Sequence, residues 1–318
     1  MPTPDAHIPV LHERVLDPLA PQPGETAIDC TAGLGGHAAA IAQRVGLEGR
    51  VIINDLDASN LERASDRVAS EAPGVPIVPW QGNFAETPRK AREAGITAHV
   101  VLADLGFASP HVDDPDRGFS FKRDGPLDMR YDRTRGESAA DLVNRLPEPE
   151  LAEIIRRFGE DRNANRIAAK IAREREASPM TSTMALARVV HAAVGGPNPR
   201  ERIDPATRTF QALRIAVNDE LGSLSALLES VTRAAAQIAT GAGVWLAPGA
   251  RVGIISFHSL EDRLVKQAFA SVKQRRLGTV LTPSPITGDD TEVQQNPRAR
   301  SAKLRVVRLG GTTPAGQR

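Results

Sequence analysis

The chain reads as α/β, a doubly wound and mostly parallel sheet interrupted by an inserted all-helical domain. Three observations predict this. In the first hundred residues, short apolar runs alternate four times with amphipathic segments of helical period. From Ser138 to Gly195 the period is helical throughout, with no strand pattern. A strand-like run returns only at Ala250–Phe257, and at 318 residues the chain is longer than one hydrophobic core usually supports.

The elements follow in order. Thr26–Cys30 is a short strand ending at Asp29, followed by the glycine-rich stretch Thr31–His37 and the helix former Ala38–Val45. Arg50–Asn54 is a second strand closed by Asp55, and Leu61, Ala64 and Val68 give Ser59–Ser70 its apolar face. Val75–Trp80 is the third strand, then Gly82-Asn83-Phe84 and a helix over Thr87–Ala94. Ala98–Ala103 (Ala-His-Val-Val-Leu-Ala) reads as a continuous buried-strand run and ends at Asp104. Residues 107–137 are rich in Pro, Gly, Asp and Arg and show little period. Helices are predicted over Ala140–Leu146, Glu148–Phe158, Ala164–Ala177 and Thr183–Val194, and one long segment over Pro205–Ala239. The turn Pro248-Gly249 precedes the strand Ala250–Phe257, Thr282–Gln295 reads as a mobile polar loop, and Leu304–Leu309 completes the sheet. The expected domain division is 1–110, an insert over 111–215, and a return over 216–318 that carries a basic C-terminal segment.

Composition narrows the function. The core must be aliphatic, because aromatic residues make up 3% of the chain. The net charge of +1 hides an asymmetry: Arg263–Arg318 holds eleven Lys or Arg against three acidic residues, a local +8 on a body of −7. Such a segment suits a polyanion or is simply a solvated tail. A single cysteine, Cys30, excludes an intramolecular disulfide, a four-thiolate zinc site and an iron–sulfur cluster, and fits a reducing cytoplasm. Met1–Leu11 lacks a signal-peptide core, and Gln237, Thr240, Gly241, Gly243, Pro248 and Gly249 break the longest uncharged stretch before it could span a membrane.

In an open parallel sheet, ligands bind beyond the carboxyl ends of the strands, where the residues after each strand converge. Gly33, Gly35 and Gly36 permit a tight turn and close approach. Asp55 is placed to accept hydrogen bonds from two ribose hydroxyls, and Asp104 closes the fourth strand. A glycine loop also fits a nicotinamide dehydrogenase, since Ala38 at the sixth position of the dinucleotide fingerprint is permitted. Asp29, just before the loop, argues against it: a carboxylate repels a pyrophosphate but attracts the ammonium and sulfonium of S-adenosylmethionine. The other reading of Asp29 is a cap on the glycine loop, and the two are compatible. Among methyl transfers, carbon-5 chemistry needs a catalytic thiolate, and Cys30 sits on the first strand without the context for one. Direct displacement by oxygen or nitrogen remains.

Longer strings then carry a resemblance. His7-Ile-Pro-Val-Leu11, Asp104–Pro110, Asp113–Phe121, Arg123–Arg130, Arg208–Ile215, Asn218–Leu221, Ile255–Arg263 and Asn296–Ser301 resemble the bacterial small-subunit ribosomal RNA cytosine-N4 methyltransferases, the RsmH or MraW family, over about His7–Leu309. The resemblance implies a seven-stranded, Rossmann-like methyltransferase sheet, S-adenosylmethionine as cofactor, and methylation of a cytidine amine in the decoding region of 16S rRNA. It implies cofactor contacts at Gly35, Gly36, His37, Asp55, Phe84 and Asp104, with Phe84 on the adenine unless it is simple core. His37 is expected to fix the loop by a hydrogen bond. Where the family usually has Gln, this chain has His111, whose charge varies near neutrality. Asp104 with Ser109 and Pro110 is the expected cradle of the substrate amine. A small-subunit particle as substrate and a homodimer are further expectations; no metal is expected.

Arg117, Lys122, Arg123 and Arg130, interleaved with Phe119 and Phe121, offer phosphate contacts and stacking, or else a buried ion-paired hinge with Asp124 and Asp128. Arg208, Gln211 and Arg214 share a helical face and serve RNA or internal pairing, and Arg298, Arg300, Lys303 and Arg305 lean toward phosphate, with a solvated strand edge as the alternative. His258, Glu261 and Asp262 are a weak metal signal and read better as the cap of a helix starting near Ser259. Besides the dehydrogenase, the alternative is a non-catalytic RNA-binding assembly protein that retains a cofactor pocket.

Overall fold

The computed structural model describes residues 9–106, 114–196 and 204–310. They divide into two compact units, one formed by Met1–Gly106 with Gly222–Arg318 and the other by Phe107–Leu221.

The first unit is built on seven strands: β1 (Thr26–Asp29), β2 (Arg50–Asp55), β3 (Ile77–Gln81), β4 (Ala98–Asp104), β5 (Leu246–Ser256), β6 (Gly278–Val280) and β7 (Lys303–Leu309). Their order is β3-β2-β1-β4-β5-β7-β6. All neighbours are parallel except β7, which runs antiparallel to both β5 and β6. The order reverses between β1 and β4, so the loops after β1, β2 and β4 open onto one crevice.

Alternation along the strands assigns the two faces. Ala27, Val51, Ile53, Val100 and Leu102 pack beneath α1 (His12–Leu19), α2 (Gly36–Val45) and α3 (Ala58–Glu71). Ile28, Ile52, Val101 and Ala103 point to the other face, covered by α4 (Thr87–Glu93), α10 (Glu220–Ala239) and α11 (Ser259–Gln274). Both faces are buried, which is why these strands read as apolar runs.

The second unit is helical: α5 (Ala139–Arg145), α6 (Glu148–Gly159), α7 (Ala164–Ala177), α8 (Thr183–Val194) and α9 (Pro205–Asn218) surround a core of Leu151, Ile155, Ile167, Ile171, Leu186, Val190, Phe210 and Leu213. Ser138 and Asp141 form a capping box that starts α5, and Gly195 at φ +95 ends α8.

Three expectations need correction. The segment Pro205–Ala239 is two helices, broken at Asp219, whose φ of +46 is the left-handed conformation that a short polar side chain tolerates. The stretch expected as a loop, Thr282–Gln295, contains helix α12 (Asp290–Gln295), N-capped by Asp289, and Ile286 bridges to Leu304. The turn Pro248-Gly249 lies within β5: pairing jumps from Ala98↔Leu246 to Val100↔Arg251, so the turn is a bulge in the strand. Among the described residues no helix is long and apolar enough to cross a membrane.

Candidate functional site

The site is assembled at the carboxyl edge of β1, β2 and β4. After β1 the chain turns through Gly33 (φ +50) and Gly35 (φ +77), and Gly35 N-caps α2. A Cβ on Gly35 would meet Ala64 Cα at 2.7 Å, and one on Gly36 would meet Pro9 Cγ at 2.1 Å. Packing against α3 and Pro9 therefore demands both glycines before any ligand is considered.

Buried side chains lock the neighbouring loops to this turn. Asn54, fully buried, donates to the Cys30 carbonyl at 3.0 Å and the Gly82 carbonyl at 2.9 Å, stapling the loops after β1 and β3 across β2. Thr31 Oγ1 accepts the Asp104 N–H at 2.6 Å. Asp55 accepts from Gly33 N–H at 2.8 Å and from Asp57 N–H at 2.9 Å, one on each carboxylate oxygen, so its position is fixed while lone pairs remain for further donors. The sequence reading missed Thr31 and Asn54. Their polar character after or within an apolar strand was the available signal, but their partners are backbone groups that only the fold brings near.

Three groups here lack the partners that burial normally demands. Asp29 is 1% exposed; its Oδ1 accepts Thr31 N–H at 3.1 Å, while Oδ2 has no hydrogen-bond partner among the described residues. Burial pushes its carboxyl up to about 6; His37 and the Thr31 N–H pull it back, and the nearby Asp104 and Asp55 push it further up. Asp104 Oδ1 is likewise buried without a hydrogen-bond partner among the described residues. His37 is 5% exposed, with Nε2 3.6 Å from Asp104 Oδ2 and neither ring nitrogen in a hydrogen bond among the described residues. Among the described residues the expected loop-fixing hydrogen bond of His37 is not seen; its nearest polar contact there is the 3.6 Å approach to Asp104.

Acceptors gathered without donors identify what the crevice suits. An incoming group with an ammonium, a cationic sulfur and ribose hydroxyls supplies the missing donors and positive charge, whereas a pyrophosphate would add charge of the same sign as Asp29, Asp55 and Asp104. The residues fit S-adenosylmethionine. Phe84 opens a single 3-10 turn capped by Asn83 and is half-buried against the second core face, so packing alone accounts for it and part of the ring is still accessible. Ser109, Pro110 and His111 lie outside the described residues. Cys30 is buried, with its thiol pushed far up by burial, which makes it an inert core residue.

The basic candidates separate into two groups. Arg130 forms a two-pronged pair with Asp128 at 2.8 and 2.9 Å and donates to the Gly136 carbonyl, and Arg117 donates to the Arg130 and Tyr131 carbonyls at 3.2 and 2.9 Å. Phe121 packs on Phe210 with ring centroids 4.8 Å apart, and Phe119 stacks on Tyr131 at 5.4 Å. These residues build the helical unit internally. Gln211 and Arg214 do the same, bonding the Phe158 carbonyl and Glu220. Lys122, Arg123, Arg208 and Arg300 are exposed, and Arg298 is half-buried in the 3-10 turn Pro297–Ser301. Lys303 and Arg305 pair with Asp262. His258 and Glu261 form a capping box at the start of α11, the role the sequence favoured.

A sheet of this order with an acid-lined carboxyl edge fits the class of S-adenosylmethionine-dependent methyltransferases. The chain belongs to the MraW methylase family, whose model matches residues 5–309. It is 45% identical to the ribosomal RNA small subunit methyltransferase H of Halorhodospira halophila, over 96% of this chain and 95% of that protein. Proteins of the same name from a Synechococcus species and from Symbiobacterium thermophilum are 47% and 43% identical, each over 95% of this chain and over 91% and 96% of their own lengths.

Proposed function

We propose that this chain methylates the exocyclic N4 amine of a cytidine in the decoding region of 16S rRNA, acting on the small ribosomal subunit in the cytoplasm. S-adenosylmethionine supplies an electrophilic methyl group. Asp55 would hold the ribose hydroxyls, Asp29 the cationic portion and Phe84 the adenine; Gly33, Gly35 and Gly36 shape the loop around them.

The observation that carries the reading is the buried carboxylate oxygen of Asp104 beside His37, without a hydrogen-bond partner among the described residues. A cytosine amine is a poor nucleophile because its lone pair is delocalised into the ring. A carboxylate that accepts a hydrogen bond from that amine favours the pyramidal geometry and is placed to receive the proton it must lose. Ser109 and Pro110 would orient the base and His111 would stand beside the cofactor. The helical unit would supply substrate recognition through Lys122, Arg123 and Arg208, and Arg298 and Arg300 of the first unit would add phosphate contacts.

The test is transfer of tritium from labelled S-adenosylmethionine to small subunits lacking the modification, followed by identification of the labelled nucleoside. Label in N4-methylcytidine, lost in Asp104→Asn, is expected. Cofactor binding with no label in any RNA would instead make the chain a non-catalytic assembly protein.

A further inference from the structure

The glycine loop is braced from outside its own helix. Pro9 lies directly on Gly36, the residue that opens α2, as the 2.1 Å approach of a virtual Cβ shows. Two residues on, Leu11 has φ +56, a left-handed backbone that an apolar L-residue rarely adopts, with its side chain fully buried in the core face under α1–α3. A conformation of this kind persists only where its surroundings over-determine it. Here the Leu11 N–H donates to Glu292 Oε1 at 2.5 Å. Arg14 then donates to the Thr287 carbonyl at 3.2 Å and to the Asp289 carboxylate, and its Nε lies 3.9 Å from Glu292 Oε2. Asp289 in turn accepts the Glu292 N–H at 2.8 Å, holding the start of α12. Between these anchors His12 sets its ring 6.0 Å from that of His37.

We infer that Arg14 and Glu292 are positioning residues for the methyl-donor site. They tie residues 9–14 to α12, about 280 positions away in sequence, and residues 9–14 hold Gly36 and His37 where the cofactor meets them. The side chains of Arg14 and Asp289 are 39% and 53% exposed, so their pairing adds little to global stability. Its effect is local: with either anchor released, the strained turn at Leu11 relaxes and the glycine loop loses its outer support. The inference rests on the reading that this crevice binds S-adenosylmethionine.

The experiment uses the full chain. Calorimetric titration with S-adenosylhomocysteine, KM and kcat on small subunits, and thermal midpoints are measured for Glu292→Ala, Arg14→Ala and Glu292→Gln, with Arg89→Ala, which breaks an exposed pair on α4, as control. Both alanine variants are expected to raise the Kd for S-adenosylhomocysteine and the KM for S-adenosylmethionine by about tenfold, with kcat at saturating cofactor nearly unchanged. Glu292→Gln keeps an acceptor for the Leu11 N–H and recovers most of the affinity; the control changes nothing. Unchanged Kd in both alanine variants overturns the inference even if their midpoints fall. Should Glu292→Ala fail to fold, Arg14→Ala decides by the same criterion. If the unaltered chain binds no S-adenosylhomocysteine, the proposed function fails and this inference with it; binding by the unaltered chain with indifferent variants defeats the inference alone.

Discussion

Replacing Asp29 by asparagine separates what its carboxylate does for the fold from what it does for the cofactor. Asparagine keeps an oxygen for the Thr31 N–H and removes only the charge. The carboxyl is raised from 3.8 to about 6 in a site 1% exposed. Each tenfold in proton affinity corresponds to about 1.4 kcal/mol, so the ionised form costs the unliganded fold about 3 kcal/mol at pH 8. Because the folded value lies above the unfolded one, this cost is absent below pH 4 and grows as pH rises toward 6; at pH 5 it is about half its full size. Urea unfolding of the unliganded chain should therefore show the stability of Asp29→Asn relative to the parent rising between pH 5 and pH 8, by roughly half of that cost. Any fixed penalty from the new amide shifts both values alike and leaves that rise intact. At pH 8 the same variant should bind S-adenosylmethionine about tenfold more weakly or worse, since a buried opposite charge has been removed. Stability curves that stay parallel across this range, or undiminished cofactor affinity, would refute the assignment of Asp29 as a charge held in reserve for a cationic ligand.

Other perturbations follow from the same geometry. Gly35→Ala puts a Cβ 2.7 Å from Ala64 Cα at a φ of +77, so a loss of about 1–3 kcal/mol in chemical denaturation is expected, together with weakened cofactor binding. Thr31→Val leaves the Asp104 N–H without its acceptor and should cost about 1–3 kcal/mol while lowering kcat, measured by urea unfolding and label transfer. Arg130→Ala removes the two-pronged partner of Asp128, which is 7% exposed, and leaves it the longer pairing with Arg133 at 3.5 Å, so a loss of about 1–3 kcal/mol in urea unfolding is expected. Lys122→Ala should leave stability unchanged but reduce the salt dependence of RNA binding, lowering the slope by about one, as filter binding across a salt series can show.

The sheet was legible because its central strands are buried on both faces and spell uninterrupted apolar runs. What escaped were elements whose stability comes from elsewhere in the fold. β6 is three residues long and exists by pairing with β7. Helix α12 has an almost wholly polar sequence and is held through Asp289, Glu292 and Val293. In the site, Asp29, Asp55 and Asp104 could be found by position, since each follows or ends a strand. Thr31 and Asn54 could not, because their partners lie on loops distant in sequence. The arginines of 117–130 were legible as a basic stretch but not as two kinds: Asp128, two residues before Arg130, captures that guanidinium, while Lys122 and Arg123 remain exposed.

The most direct measurement is a crystal structure of the full chain with S-adenosylhomocysteine. The account predicts its ribose on Asp55, its amino-acid end toward Asp29 and its sulfur facing the Asp104 and His37 side of the crevice. Density elsewhere, or a crevice that takes NAD and rejects S-adenosylhomocysteine, would contradict it.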